Sequence, residues 1–313
     1  MATHITTRPA AGEAGFSLVE VMVTTLILST VSAVVITGVL NLSQLSGTVT
    51  NRTQMFAGVR NATALLEQEV GQAGRIVLPA AVKLTGAVAA GANPVSVSST
   101  EGMFVGEKLV IGTGQFTETV TLTAVGGGTI TAAFLNAHGP DEPVLVLGAF
   151  AWGVVPPVDS TGNAEPDGST GTLLKIFGDI NGTGKMVYVE YTCDVDNARL
   201  YRHQMDWNLP AGDKEDPGVE DILIENIQKN PNDTPCFSYQ TKVVNTQVFV
   251  VGVAITLTVE SQEKDPVTGE FQRESKALLN VAPRNVFNAW QLASLDIDNR
   301  VQSTPQEIKD LLP

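Results

Sequence analysis

Apolar and polar positions alternate along this chain in three distinct ways. The first is a run, Gly15 to Leu40, reading GFSLVEVMVTTLILSTVSAVVITGVL, in which Glu20 is the single charge. From Val21 no charged residue occurs until Arg52, so a helix here is long enough to cross a hydrocarbon core of about 30 Å. Beyond Leu40 the spacing stays helical but becomes amphipathic. Leu42, Leu45, Val49, Phe56, Val59, Leu66 and Val70 fall on one stripe, interrupted by Arg52 and Thr63. This pattern predicts one helix over 16–75, with 16–40 as its membrane part and the stripe buried against a globular head. Gly71, Gly74 and Pro79 are its stop signals.

The second pattern is period two. From Val95 to Leu147 the sequence turns to Val, Thr and Gly with alternating apolar positions, which predicts short strands and tight turns in a small all-β module over 90–150. Ala149 to Gly171 is rich in Pro, Gly, Ser and Asp and reads as a linker or loop over 151–172. Strand patterns resume at Leu173, so the module is an insertion between the helix and a β head over 173–288. The third pattern is the tail, 289–313, where Thr304 and Glu307 have the spacing of a capping box for a short terminal helix. The expected fold class is α+β, a long, partly transmembrane N-terminal helix packed on an antiparallel sheet.

Composition narrows the chemistry. With 19 Lys and Arg against 33 Asp and Glu, the net charge is −14, opposed to a nucleic-acid backbone partner. No nucleophile elbow, phosphate loop, zinc spacing or dinucleotide fingerprint occurs, and the three histidines, His4, His138 and His203, are far apart. An enzyme is not expected. The two cysteines, Cys193 and Cys236, both follow the anchor; on the extracytoplasmic side they pair as a disulfide or remain buried thiols.

One feature of the first run is specific. A short polar leader ends in Gly15 immediately before the apolar run, the reverse of a secretory signal, and Phe16, Ser17, Leu18, Val19 and Glu20 follow. This resembles the class III signal of type IV prepilins. The resemblance implies a leader over 1–15, cleavage after Gly15, N-methylation of Phe16 and an assembly role for Glu20, whose carboxylate pairs with the α-amine of a neighbouring subunit. It implies as partners a prepilin peptidase and methyltransferase, other major and minor pilins, an inner-membrane assembly platform and, before assembly, lipid. The leader departs from the family in offering only Arg8 as a base beside Glu13, and Thr37 and Gly38 stand near the family's helix-breaking proline.

LLEQEVGQAGR, Leu65 to Arg75, and the strand followed by Pro283 to Asn285 look like PilW-like minor pilins and J-type pseudopilins, with Gly71 where Arg is usual. The resemblance therefore implies a pilin-like head and a minor subunit of a type IV pilus. A type II secretion pseudopilin is the alternative, and an anchored extracytoplasmic binding or adhesion module is the reading from another class. GMFVGEKLVIG, ETVTLTAVGGGTIT and LNAHGPDEPV resemble a small all-β module found in diverse surface proteins, which implies no defined activity.

Asp179, Asn181, Thr183, Gly184 and Glu190 match the spacing of a calcium loop, with Thr at the fifth position. Met186 to Tyr191, however, is a strand pattern where an EF-hand needs a helix. A polar hairpin turn fits the same residues, and no other cofactor is expected.

Overall fold

The structure, a computed structural model, describes residues 15–313, so the leader expected over 1–15 lies outside the described residues except for Gly15. The apolar run and the amphipathic stretch form a single helix, α1 (Leu18–Gln72), 55 residues and about 80 Å long. It stops where glycine permits a left-handed turn. Gly74 has φ +81°, and its neighbourhood is too tight for a side chain: a Cβ on Gly153 would lie 2.2 Å from the Gly74 Cα.

The stripe on α1 divides. Val59, Leu66 and Val70 are buried as expected, whereas Leu42, Leu45, Val49 and Phe56 are exposed. Thr63, which interrupts the stripe in sequence, is itself buried; its hydroxyl donates to the Val59 carbonyl at 2.8 Å, which removes the cost of an unpaired polar group. The head therefore covers only the C-terminal part of the helix.

The inserted module begins earlier than 90. Its strands are β1 (Val82–Lys83), β2 (Gly91–Ser96), β3 (Lys108–Ile111), β4 (Glu118–Thr121), β5 (Ala124–Gly126), β6 (Thr129–Phe134) and β7 (Pro143–Val146). They form two small sheets, β1–β7–β3–β4 and β2–β6–β5, closed over a separate core that includes Leu84, Leu109, Ile111, Leu122, Ile130 and Phe134. Gly127 and Gly128, both at positive φ, turn β5 into β6.

The stretch expected as a linker is partly core. β8 (Ala149–Phe150) pairs in parallel with β17 (Val301–Gln302), Val154 bridges to Ile176, and Phe150, Val154 and Val155 are fully buried. The apolar cluster AFAWGVV lies at the front of a Pro- and Gly-rich segment whose average composition conceals it. Only the later residues form a free turn, built on Asp159 Oδ1 accepting from the Thr161 and Asn163 amides at 2.8 and 2.9 Å.

Two antiparallel sheets make the head. β9 (Leu173–Gly178), β10 (Val187–Asp194), β11 (Arg199–Asp206) and β12 (Ile222–Glu225) form one in the order β12–β11–β10–β9. In the other, β15 (Gln247–Glu260) pairs with β13 (Ile227–Gln228) and β14 (Phe237–Val244) and with β16 (Arg273–Val281). Val59, Leu66 and Val70 of α1 share a core with Val189, Tyr191, Ile255 and Leu257, so the helix end is wedged among both sheets. The opposite face of β10 packs Tyr188 with Phe104, Phe150 and Phe177. That second core receives Ile308 and Leu311 of α3 (Gln306–Leu311).

Two terminal features differ from expectation. α2 (Arg284–Ala293) begins directly after Pro283, where the sequence pattern predicts the end of the β head and a tail. Its Asn285 amide donates to the Gln72 carbonyl at 3.0 Å and so caps the end of α1. α3 starts at Pro305 without a side-chain cap, so the Thr304–Glu307 capping box does not form; a proline at that point already fixes the first φ.

Candidate functional site

The N-terminal part of α1 stands clear of the rest of the molecule. An 18-residue window has mean hydropathy 2.1 with none of it buried, which makes the helix long and apolar enough to cross a membrane. Five of its hydroxyls are satisfied locally. Those of Thr24, Thr25, Ser29, Thr30 and Thr37 each fold back onto a helix carbonyl at 2.8–3.0 Å, which lowers the cost of placing them in lipid.

Glu20 carries the single charge of this part. It lies in the first turn of α1, exposed, and its carboxylate has no partner among the described residues. A negative charge is favoured near a helix N-terminus, yet in an apolar surround the carboxylate still requires a cation. Gly15 and Phe16 precede the helix and are exposed, open to chemistry at that bond.

Where α1 leaves the head it is held by the turn between β15 and β16. Thr48 Oγ1 donates to Asp265 Oδ1 at 2.9 Å, and a Cβ on Gly47 would approach Pro266 Cγ at 3.1 Å. Asp265 also accepts the Val267 amide at 2.7 Å, so one buried carboxylate both shapes the turn and grips the helix. Backbone and hydroxyl hydrogen bonds hold its pKa below the usual value. The turn was legible in sequence; its contact with Gly47 and Thr48 was not.

At the buried end of α1, Glu69 receives Arg202 Nε at 3.0 Å and Nη2 at 2.6 Å, together with the Tyr191 hydroxyl. Burial and the Glu69 charge push the Tyr191 phenol up, so it serves only as a donor. This network fixes the rotation of the helix against β10 and β11.

The calcium-spaced residues are not brought together. Asp179 Oδ1 accepts the amides of Thr183 and Gly184 at 2.9 and 3.2 Å, Asp179 Oδ2 faces Arg75 Nε at 3.6 Å, and Asn181 donates to Gln204. Glu190 is on β10, where it accepts from Tyr188 at 2.6 Å and Lys214 at 3.0 Å. The strand read at Met186 to Tyr191 is the cause: it carries Glu190 away from the turn. Among the described residues no group of three or more His, Cys, Asp and Glu is placed to hold a metal. Cys193 and Cys236 are joined by a disulfide that ties β10 to the segment before β14.

His138 is buried between two carboxylates of the module. Its Nε2 lies 2.7 Å from Glu118 Oε1 and its Nδ1 2.8 Å from Glu142 Oε2. Burial alone would lower the imidazole's pKa, but the two carboxylates outweigh it and hold the value up, as an imidazolium donating from both nitrogens requires. Glu118 also accepts the amides of Leu135 and Asn136, so the group staples the β6–β7 loop to β4. Glu107, at the base of the module, is fully buried with Oε1 unpaired, and burial pushes its pKa up to about 8.

None of these clusters places a nucleophile beside a base. Comparison with protein-family profiles, with curated proteins and with solved structures gave no match.

Proposed function

We propose that the chain is the precursor of a minor pilin, anchored by α1 in the inner membrane with its head outside the cytoplasm, and then assembled into a type IV pilus. One observation carries this reading. A single helix is buried in a head only towards its C-terminal end, from Val59 on, while its apolar N-terminal part is uncovered and bears one carboxylate, Glu20, at its start. Such a helix suits two apolar surroundings in succession, a bilayer and then a bundle of like helices. In both, the lone carboxylate needs a partner, and the amine of a processed Phe16 on a neighbouring subunit supplies a unit positive charge.

Partners on this reading are the prepilin peptidase that cuts after Gly15 and methylates Phe16, the assembly platform, and other pilins. The role is structural and requires neither catalysis nor a cofactor. The bulk of a head carrying a second core, that of the module, favours a position that starts or caps the fibre over one repeated at every lattice point. A type II secretion pseudopilin would use the same chemistry; deletion separates them, with loss of motility marking a pilus and loss of protein export a pseudopilus.

Replacing Glu20 by alanine tests the proposal. The variant is expected to reach the membrane at the normal level and to vanish from sheared fibres. The module's separate core supports a second reading, an anchored binding module, on which E20A would leave the chain's behaviour unchanged.

A further inference from the structure

The turn that grips α1 carries an unused surface. Val267 at its tip is 64% exposed and Phe271 is 44% exposed. Lys264 Nζ lies 5.6 Å from the centre of the Phe271 ring, so the aromatic is flanked by an exposed cation. Asp265 is committed to the turn and to Thr48, which leaves its neighbours to face outward.

The height of this tip along α1 is fixed by its contacts at Gly47, Thr48 and Asn51; the Asn51 amide reaches the Glu263 carbonyl at 3.4 Å. The exposed apolar part of the helix, Phe16 to Leu45, covers about 45 Å if helical throughout. That equals the thickness of a bilayer with both headgroup layers, about 40–45 Å. The next turn of the helix, Gly47 to Asn51, then emerges at the outer headgroup surface. The hairpin tip is clasped at that level.

We propose that the β15–β16 tip is a lipid-contact element, in which Val267 and Phe271 rest in the outer headgroup layer while Lys264 meets lipid phosphate. The combination of an aromatic, an aliphatic and a lysine suits an interface where one side is apolar and the other wet. Exposed Glu263 and Glu270 flank it, so the matching partner is a zwitterionic phospholipid surface and not an anionic one. The contact fixes the tilt of the head over the membrane before assembly, and it rests on the anchoring of α1 proposed above.

The test uses the full chain in phosphatidylcholine vesicles, with an environment-sensitive fluorophore on one introduced cysteine; the native pair is already bonded. V267C reports the tip, V31C the helix span and L135C an exposed site on the module. The expected result is that V267C emission shifts to the blue and is quenched by headgroup-labelled lipid, V31C is quenched by deep acyl-chain labels, and L135C is affected by neither. If V31C is quenched and V267C matches L135C, the anchor stands and the lipid contact is overturned. If V31C is not quenched, the anchor reading fails and the contact with it.

Discussion

At the level of single residues, three buried ionisable groups, Glu69, His138 and Glu107, each have a measurable consequence. Glu69 is held by Arg202 and Tyr191, so R202M strands a buried carboxylate and is expected to cost about 3–5 kcal/mol in denaturant unfolding. The double variant E69L/R202M removes both charges and is expected to recover much of that loss. His138 has a folded pKa above its unfolded value. Its stabilisation is therefore full below about pH 6.5 and is lost as pH rises through the folded value, and H138N should flatten that part of a stability–pH profile. Glu107 behaves in the opposite way to an ordinary ion-paired carboxylate. Its pKa rises from 4.5 to about 8 on folding, so stability falls progressively between those values as the unfolded chain ionises first. E107Q is expected to raise stability at neutral pH and to remove that slope.

At the scale of elements, the helix, the disulfide and the β turns can each be taken apart. The Cys193–Cys236 bond closes a loop of sequence separation 43, for which loop entropy gives about 4 kcal/mol; reductant is expected to lower the unfolding midpoint accordingly. Calcium titration should release no binding heat, because Glu190 belongs to the Lys214 cluster and not to the Asp179 turn. What the sequence made legible here is whatever depends on local period: α1 and its glycine stop, the alternating strands of module and head, and the turn at Asp265 to Gly269. What it hid depends on long-range contact. The core role of Phe150 and Val154 was masked by surrounding prolines and glycines, and α2 by its position directly after a strand. The exposure of Leu42, Leu45, Val49 and Phe56 could not be read from a stripe that looks the same whether one body covers it or several do. The lone charge at Glu20 needed no structure to be noticed, but its lack of a partner among the described residues did.

For the molecule as a whole, the helix that enters the head at one end is left bare at the other, and further cores close without using it. An exposed apolar surface of that length has no stable place in water. On the proposed reading it is sheltered first by lipid and then by other helices, with cleavage after Gly15 dividing the two stages. On the same reading, processing after Gly15 makes Phe16 a terminus with a positive charge, and Glu20 is the fifth residue counting from it. The most direct measurement is the N-terminus of the mature chain extracted from a host with an active prepilin peptidase, by intact mass and terminal peptide sequencing. The account requires N-methylated Phe16; residues 1 to 15 still attached would contradict it.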